Sequence, residues 1–221
     1  MTKYKIIVLA FLTTTIVMSC NKPKTVILSK FLNGKPKETI DLVRPVTQDS
    51  FGLIKVYFEN GNLQAYGQSK NRKRQGEWIC FFPNGKPEWK SVFNDDIENG
   101  ETTCYDTIGF WRKFDVKNGV KDGKYTSYFY DWFDSVKCYV NGKYVNGIEQ
   151  GLWTKTDTAG VLLVEMTYVD GKAIGYFTNR YKNGKLKLKG ELDEKGSMKN
   201  FTFYDENGVA TKKKEYLLRK I

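Results

Sequence analysis

A pair of glycines nine residues apart, repeated along nearly the whole chain, narrows most what this sequence can fold into. In Gly76-Glu-Trp-Ile-Cys-Phe-Phe-Pro-Asn-Gly85 the pair brackets an aromatic run, and it recurs at Gly52/Gly61, Gly100/Gly109, Gly151/Gly160 and Gly175/Gly184. With looser copies starting at Thr25, Gly123 and Lys199, eight units begin at 25, 52, 76, 100, 123, 151, 175 and 199. A fixed period of this length marks an architecture in which each unit packs only on its neighbours. A second glycine pair (Gly119-x3-Gly123, Gly147-x3-Gly151, Gly171-x3-Gly175) punctuates the joins, and 16 of the 20 glycines fall at repeat positions.

Asparagine precedes the turn glycine at Asn33, Asn60, Asn84, Asn183 and Asn207. Asn-Gly between apolar runs predicts a type I′ hairpin turn, because both central residues there need positive φ. The intervening runs are aromatic or β-branched, as in Val56-Tyr57-Phe58 and Trp78-Ile79-Cys80-Phe81-Phe82, which is strand composition. The chain therefore reads as all-β: one elongated, single-layer antiparallel meander of stacked hairpins. No substantial helix is expected beyond the N-terminal segment, although 214–221 has room for a short helical turn.

Two residues into each unit stand Ile27, Ile54, Trp78, Thr102, Tyr125, Trp153, Phe177 and Phe201. Equivalent positions share one face, so these side chains should stack as a ladder and form the core. The other face is left open, where exposed aromatics would make a binding strip. The pattern breaks between residues 110 and 160. Trp132 stands where the fifth unit's turn glycine belongs, Thr156-Asp157 replace the aromatic pair of the sixth, and a four-residue lengthening falls around 141–147. The off-pattern Phe110, Trp111, Trp132 and Phe133 either plug a distorted turn or form a contact surface.

Composition limits the chemistry. There is no histidine in 221 residues, which removes Ser-His-Asp and Cys-His catalysis and most zinc sites. Acidic pairs at Asp95-Asp96, Asp193-Glu194 and Asp131/Asp134 fall in turns, and turn propensity accounts for them. The expectation is a non-enzyme without metal or cofactor. The formal charge is +11, and four bases crowd Lys70-Asn-Arg72-Lys73-Arg74. Arg72, Lys73 and Arg74 are either a solvated loop tip or a patch for phosphate headgroups, lipopolysaccharide or an acidic protein. Lys212–Lys214 reads the same way. Cys80 and Cys104 occupy equivalent positions of consecutive units. Two strands apart is roughly 9.6 Å, beyond the roughly 7 Å reach of a disulfide, so they should stay unbridged as small buried hydrophobes; the pairing state of Cys138 is open.

The N-terminus carries a separate message. Lys3 and Lys5 precede an apolar run from Ile6 to Met18, too short for the roughly 20 residues that span a bilayer. It ends in Val17-Met18-Ser19-Cys20, which resembles a bacterial lipobox. That resemblance implies a signal peptide over 1–19, lipidation (palmitate) of Cys20, and a mature charge of +9 once Lys3 and Lys5 are removed. A short tether (20–24), the repeats (25–211) and a basic tail (212–221) follow. Asn21 at the second mature position, with no acidic run after it, implies an outer-membrane lipoprotein on the periplasmic face. Export in turn disfavours nucleic acid as a partner.

Gly76-Glu-Trp78, Phe81-Phe82 and Asn84-Gly85-Lys86, then Tyr168-Val-Asp170-Gly171-Lys172-Ala-Ile-Gly175 and Tyr181-Lys-Asn183-Gly184-Lys185, resemble the MORN-repeat variant. The likeness covers residues 52–209 with a degenerate copy at 25–51, and extends to the YwqK-type antitoxin group of such repeats. It implies a monomeric, non-catalytic scaffold for protein–protein interaction, antitoxin- or immunity-like in its sharpest form. The competing expectation is a glycan- or anionic-lipid-binding module built on aromatic hairpins and basic turns.

Overall fold

The computed structural model describes residues 24–42 and 51–211. Cys20 and the signal segment, residues 43–50, and the tail from 212 with its basic run and expected helical turn lie outside the described residues. Among the described residues, seventeen strands form one sheet. Its hairpins are β1 (Lys24–Lys30) with β2 (Pro36–Leu42), β3 (Phe51–Tyr57) with β4 (Leu63–Lys70), and β5 (Lys73–Phe81) with β6 (Pro87–Asn94). The two-residue β7 (Ile97–Glu98) leads into β8 (Gly100–Tyr105) and β9 (Trp111–Lys117). Then come β10 (Val120–Asp131) with β11 (Val136–Val145) and β12 (Ile148–Asp157) with β13 (Leu162–Val169). The last are β14 (Lys172–Arg180) with β15 (Leu186–Leu192) and β16 (Met198–Tyr204) with the two-residue β17 (Ala210–Thr211). Each strand pairs antiparallel with the next, apart from β8, whose partner on that side is β6. The result is the expected meander.

The turns differ from expectation in an informative way. In Phe82-Pro83-Asn84-Gly85, the Gly85 N–H donates to Phe82 O at 2.8 Å and the Phe82 N–H to Lys86 O at 2.9 Å. Only Gly85 has positive φ. This is a three-residue loop, a type I turn closed by a left-handed glycine, not a type I′ turn. The Asn side chain explains the choice. Oδ1 of Asn33, Asn84 and Asn183 accepts the backbone N–H two residues on, holding Asn in the right-handed corner. Type I′ geometry occurs instead at the joins, with φ of 53° and 66° at Asn71-Arg72, 50° and 70° at Asp95-Asp96, and similar values at Asn118-Gly119, Asn146-Gly147 and Asp170-Gly171. These joins are tied to one another. Asp96, Gly119, Gly147 and Gly171 donate their N–H groups to Arg74, Glu98, Lys121 and Glu149 carbonyls at 2.7–3.1 Å, so hydrogen bonds run from join to join along one margin.

The ladder exists with one correction. Register carries it through Ile40, Ile54, Gly67, Trp78 and Ser91, then Thr102, Phe114, Tyr125 and Gly142, then Trp153, Met166, Phe177 and Gly190. Ile27 is not in it. It is 46% exposed, and Val26 pairs with Ile40 and packs on the core instead, because the degenerate first unit is offset by one residue and a one-residue offset exchanges faces. The ladder face is the inner face of the sheet; the alternate residues form the outer face.

Three glycines outside the repeat pattern make this packing possible. A Cβ at Gly67 would meet the indole of Trp78, one at Gly142 the indole of Trp153, and one at Gly190 the ring of Phe201 at 2.7 Å. Each ring lies over a bare stretch of the neighbouring strand. Burial of such side chains contributes about 1.5–3 kcal/mol apiece.

The core is interrupted. One cluster gathers Ile40, Ile54, Trp78 and Phe93, the other Val140, Trp153, Leu163, Val164, Met166, Phe177, Leu188 and Leu192. Between them, where an aromatic would continue the ladder, Thr102 is only 1% exposed and shares its hydroxyl with Ser91 at 2.6 Å. Both hydroxyls also lie within hydrogen-bonding reach of the Glu98 carboxylate; one donates to it, and the other donates to that hydroxyl. Hydrogen bonding stabilises this buried polar trio, which a lone buried hydroxyl would not achieve.

Candidate functional site

The lengthening of the fifth unit is not at 141–147. Gly142 holds the seat under Trp153 that Gly67 holds under Trp78, so the register there is regular. The extra residues lie at the hairpin tip. Twelve positions separate Gly123 from Ser135, whose φ of +50° takes the turn-glycine role, where nine separate Gly76 from Gly85. The β10–β11 hairpin therefore reaches further than its neighbours.

That tip is locked. Asp131 Oδ1 accepts the Phe133 N–H at 2.9 Å. Its other oxygen pairs with Lys155 on β12, which also reaches Asp134 at 3.3 Å. Asp134 binds Lys187 on β15 at 3.3 Å, and Lys182 donates to Ser135 O at 3.1 Å. The tip thus leans over two further hairpins. Lys155 is buried. Burial alone would depress its ammonium pKa, but the Asp131 hydrogen bond and both carboxylate charges outweigh burial and raise it. For Asp131, burial opposes ionisation, and the Lys155 and backbone hydrogen bonds prevail, so its pKa falls. Turn propensity alone therefore does not account for Asp131 and Asp134; they neutralise a buried cation.

On this locked tip Trp132 is 77% and Phe133 69% exposed; they present surface and do not plug the turn. The Trp132 ring meets Tyr130 edge-on at 4.7 Å. Tyr130 shares the outer face of β10 with Tyr128, and Tyr128 contacts Phe110, Trp111 and Tyr139 at 5.8, 6.2 and 5.1 Å. Phe110, Trp111 and Trp132 thus border one outer-face strip, with Phe133 next to Trp132 at the tip. Tyr128, Tyr130 and Tyr139, which complete it, fit the strand pattern so well that nothing in the sequence set them apart.

The basic run is divided. Arg72 and Lys73 are exposed at a join, but Arg74 is drawn back, ion-paired to Asp96 at 3.0 Å and stacked 3.9 Å from the Phe93 ring centre. Backbone and side-chain hydrogen bonds from Arg74 lower the Asp96 pKa. Cys80, Cys104 and Cys138 are all free thiols, with Trp89 in register between the first two. Cys80 and Cys104 are half-buried, less than expected, and Cys138 is wholly buried.

On the inner face, between the two core clusters, lies a cavity of about 440 Å³. Arg112, Ser127 and Val140 stand side by side across its floor. Tyr144, Trp153 and Tyr168 border it. It opens where the inner-face positions are small, at Cys104 and Ser127.

No curated protein matches the chain. The family model for the MORN repeat variant matches residues 52–71 and 74–95, which hold the β3–β4 and β5–β6 hairpins. Two adjacent units thus match the MORN repeat variant, and the later hairpins repeat their strand order and turn chemistry.

Proposed function

We propose that this chain is a repeat scaffold, lipid-anchored at Cys20 in the bacterial envelope, that presents the Trp132–Phe133 tip and the adjoining outer-face aromatics to a protein partner. The observation that carries this reading is a pair of large exposed aromatics on a tip held by buried ion pairs. Rigid aromatic anchors dominate protein interfaces, and a tip already ordered loses little entropy on binding. The matched repeat and the resemblance to antitoxin-type repeats support the finer reading, a partner whose activity the scaffold neutralises.

A photo-crosslinking amino acid at position 133, compared with one at Tyr176, which is at least as exposed, tests this in intact envelopes. The expected result is a discrete protein adduct from the tip alone, lost in Trp132→Ala. No adduct, or the same adducts from both positions, overturns the reading.

A further inference from the structure

We infer that the inner-face cavity is a carbohydrate subsite for a short, neutral oligosaccharide. The inference does not rest on the partner reading: Phe110, Trp111 and Tyr128 of the strip also reach the cavity, but the exposed tip residues Trp132 and Phe133 do not line it. About 440 Å³ is within the range of roughly 300–1,000 Å³ typical of small-molecule sites.

The lining selects the ligand. Trp153 is wedged among Tyr125, Tyr144 and Tyr168 with ring centres 5.2–5.7 Å apart, so this aromatic wall is fixed in place. Beside it stand Arg112, Ser127 and Glu149, a donor of one charge, a hydroxyl and an acceptor of the other. A sugar ring offers apolar C–H faces to aromatics and a rim of hydroxyls that both donate and accept. An acyl chain would leave these polar groups dry and unpaired. A phosphate would meet Glu149 and Asp106 as well as Arg112. A quaternary ammonium would meet like charge from Arg112 and from the Lys121 ammonium, 4.9 Å from the Tyr144 ring centre.

The test uses the mature lipidated chain in a detergent without a sugar headgroup. Saturation-transfer NMR is recorded with chitotriose, maltotriose and cellotriose, and separately with choline and inorganic phosphate. The expected result is transfer to the ring C–H protons of at least one trisaccharide at millimolar concentration. Arg112→Ala, an exposed and fold-neutral change, should weaken binding about tenfold, as losing one charge-assisted hydrogen bond does. Trp132→Ala, outside the cavity lining, should leave binding unchanged. No transfer from any trisaccharide, binding indifferent to Arg112→Ala, or binding of choline or phosphate alone overturns the inference.

Discussion

Trp153 lies over Gly142 so closely that a single methyl group at position 142 would enter the indole. The same relation joins Trp78 to Gly67 and Phe201 to Gly190, each glycine eleven residues before its ring. In a single-layer sheet no second layer covers the core, so side chains must lie down on their own backbone, and a bare backbone position is what lets them.

Gly142→Ala should therefore destabilise the fold by about 1–3 kcal/mol, as overpacking does. Gly142 does not have the left-handed φ of the turn glycines, so the effect is steric alone. Urea unfolding measures it, and a wild-type midpoint would show that Trp153 is seated elsewhere.

Lys155→Ala should cost about 3–5 kcal/mol, because it strands the Asp131 and Asp134 carboxylates without their shared cation. Lys155→Met combined with Asp131→Asn and Asp134→Asn should recover most of that loss. The pH dependence follows from the directions of the shifts. The Asp131 pKa is held below the ordinary 3.8, so its contribution is present above that value and lost as pH falls through the lowered one. The Lys155 pKa is held above 10.5, so its contribution is present below 10.5 and lost as pH rises through the raised one. Wild type should show both flanks in melting curves against pH, and the triple variant should lack these contributions.

Arg72→Gly should stabilise the protein by about 1 kcal/mol. Arg72 holds φ at +66°, a left-handed corner that costs a side-chain-bearing residue about 1–2 kcal/mol, part of which the greater freedom of unfolded glycine offsets. Thermal melting of the two proteins checks it; a lowered midpoint would mean that Arg72 makes a stabilising contact.

Cys138 should be the last thiol to react. It is wholly buried, and burial pushes its pKa up to about 11, which leaves little thiolate at neutral pH. Cys80 and Cys104 are both more accessible. Mass spectrometry after timed N-ethylmaleimide treatment of the native protein should find both modified before Cys138. Earlier labelling of Cys138 would show that β11 opens locally.

The hairpin meander was legible in the sequence because the glycine pair is complete in five of the seven units from 52 onwards and strand composition accompanies it. Turn chemistry was legible in kind but not in place, since Asn-Gly suits two turns and the Asx hydrogen bond to the residue two on decides between them. The seats at Gly67, Gly142 and Gly190 went unread although their eleven-residue spacing to Trp78, Trp153 and Phe201 was available. Within the site, Trp132 and Phe133 stood out because they break the repeat. The Lys155–Asp131–Asp134 lock and the cavity could not, because both depend on the sheet curling far enough to bring β15 beneath a tip two hairpins away.

The polar trio of Ser91, Glu98 and Thr102 has a consequence for how the molecule comes apart. Stability in a one-dimensional stack is set by neighbour interfaces, and at this interface the ladder positions are held by hydrogen bonds where the two core clusters hold apolar side chains. An unfolding front entering from either end will stall there. The chain is in effect two cooperative blocks sharing one backbone, so damage to the N-terminal block leaves the hairpin tip and the cavity standing.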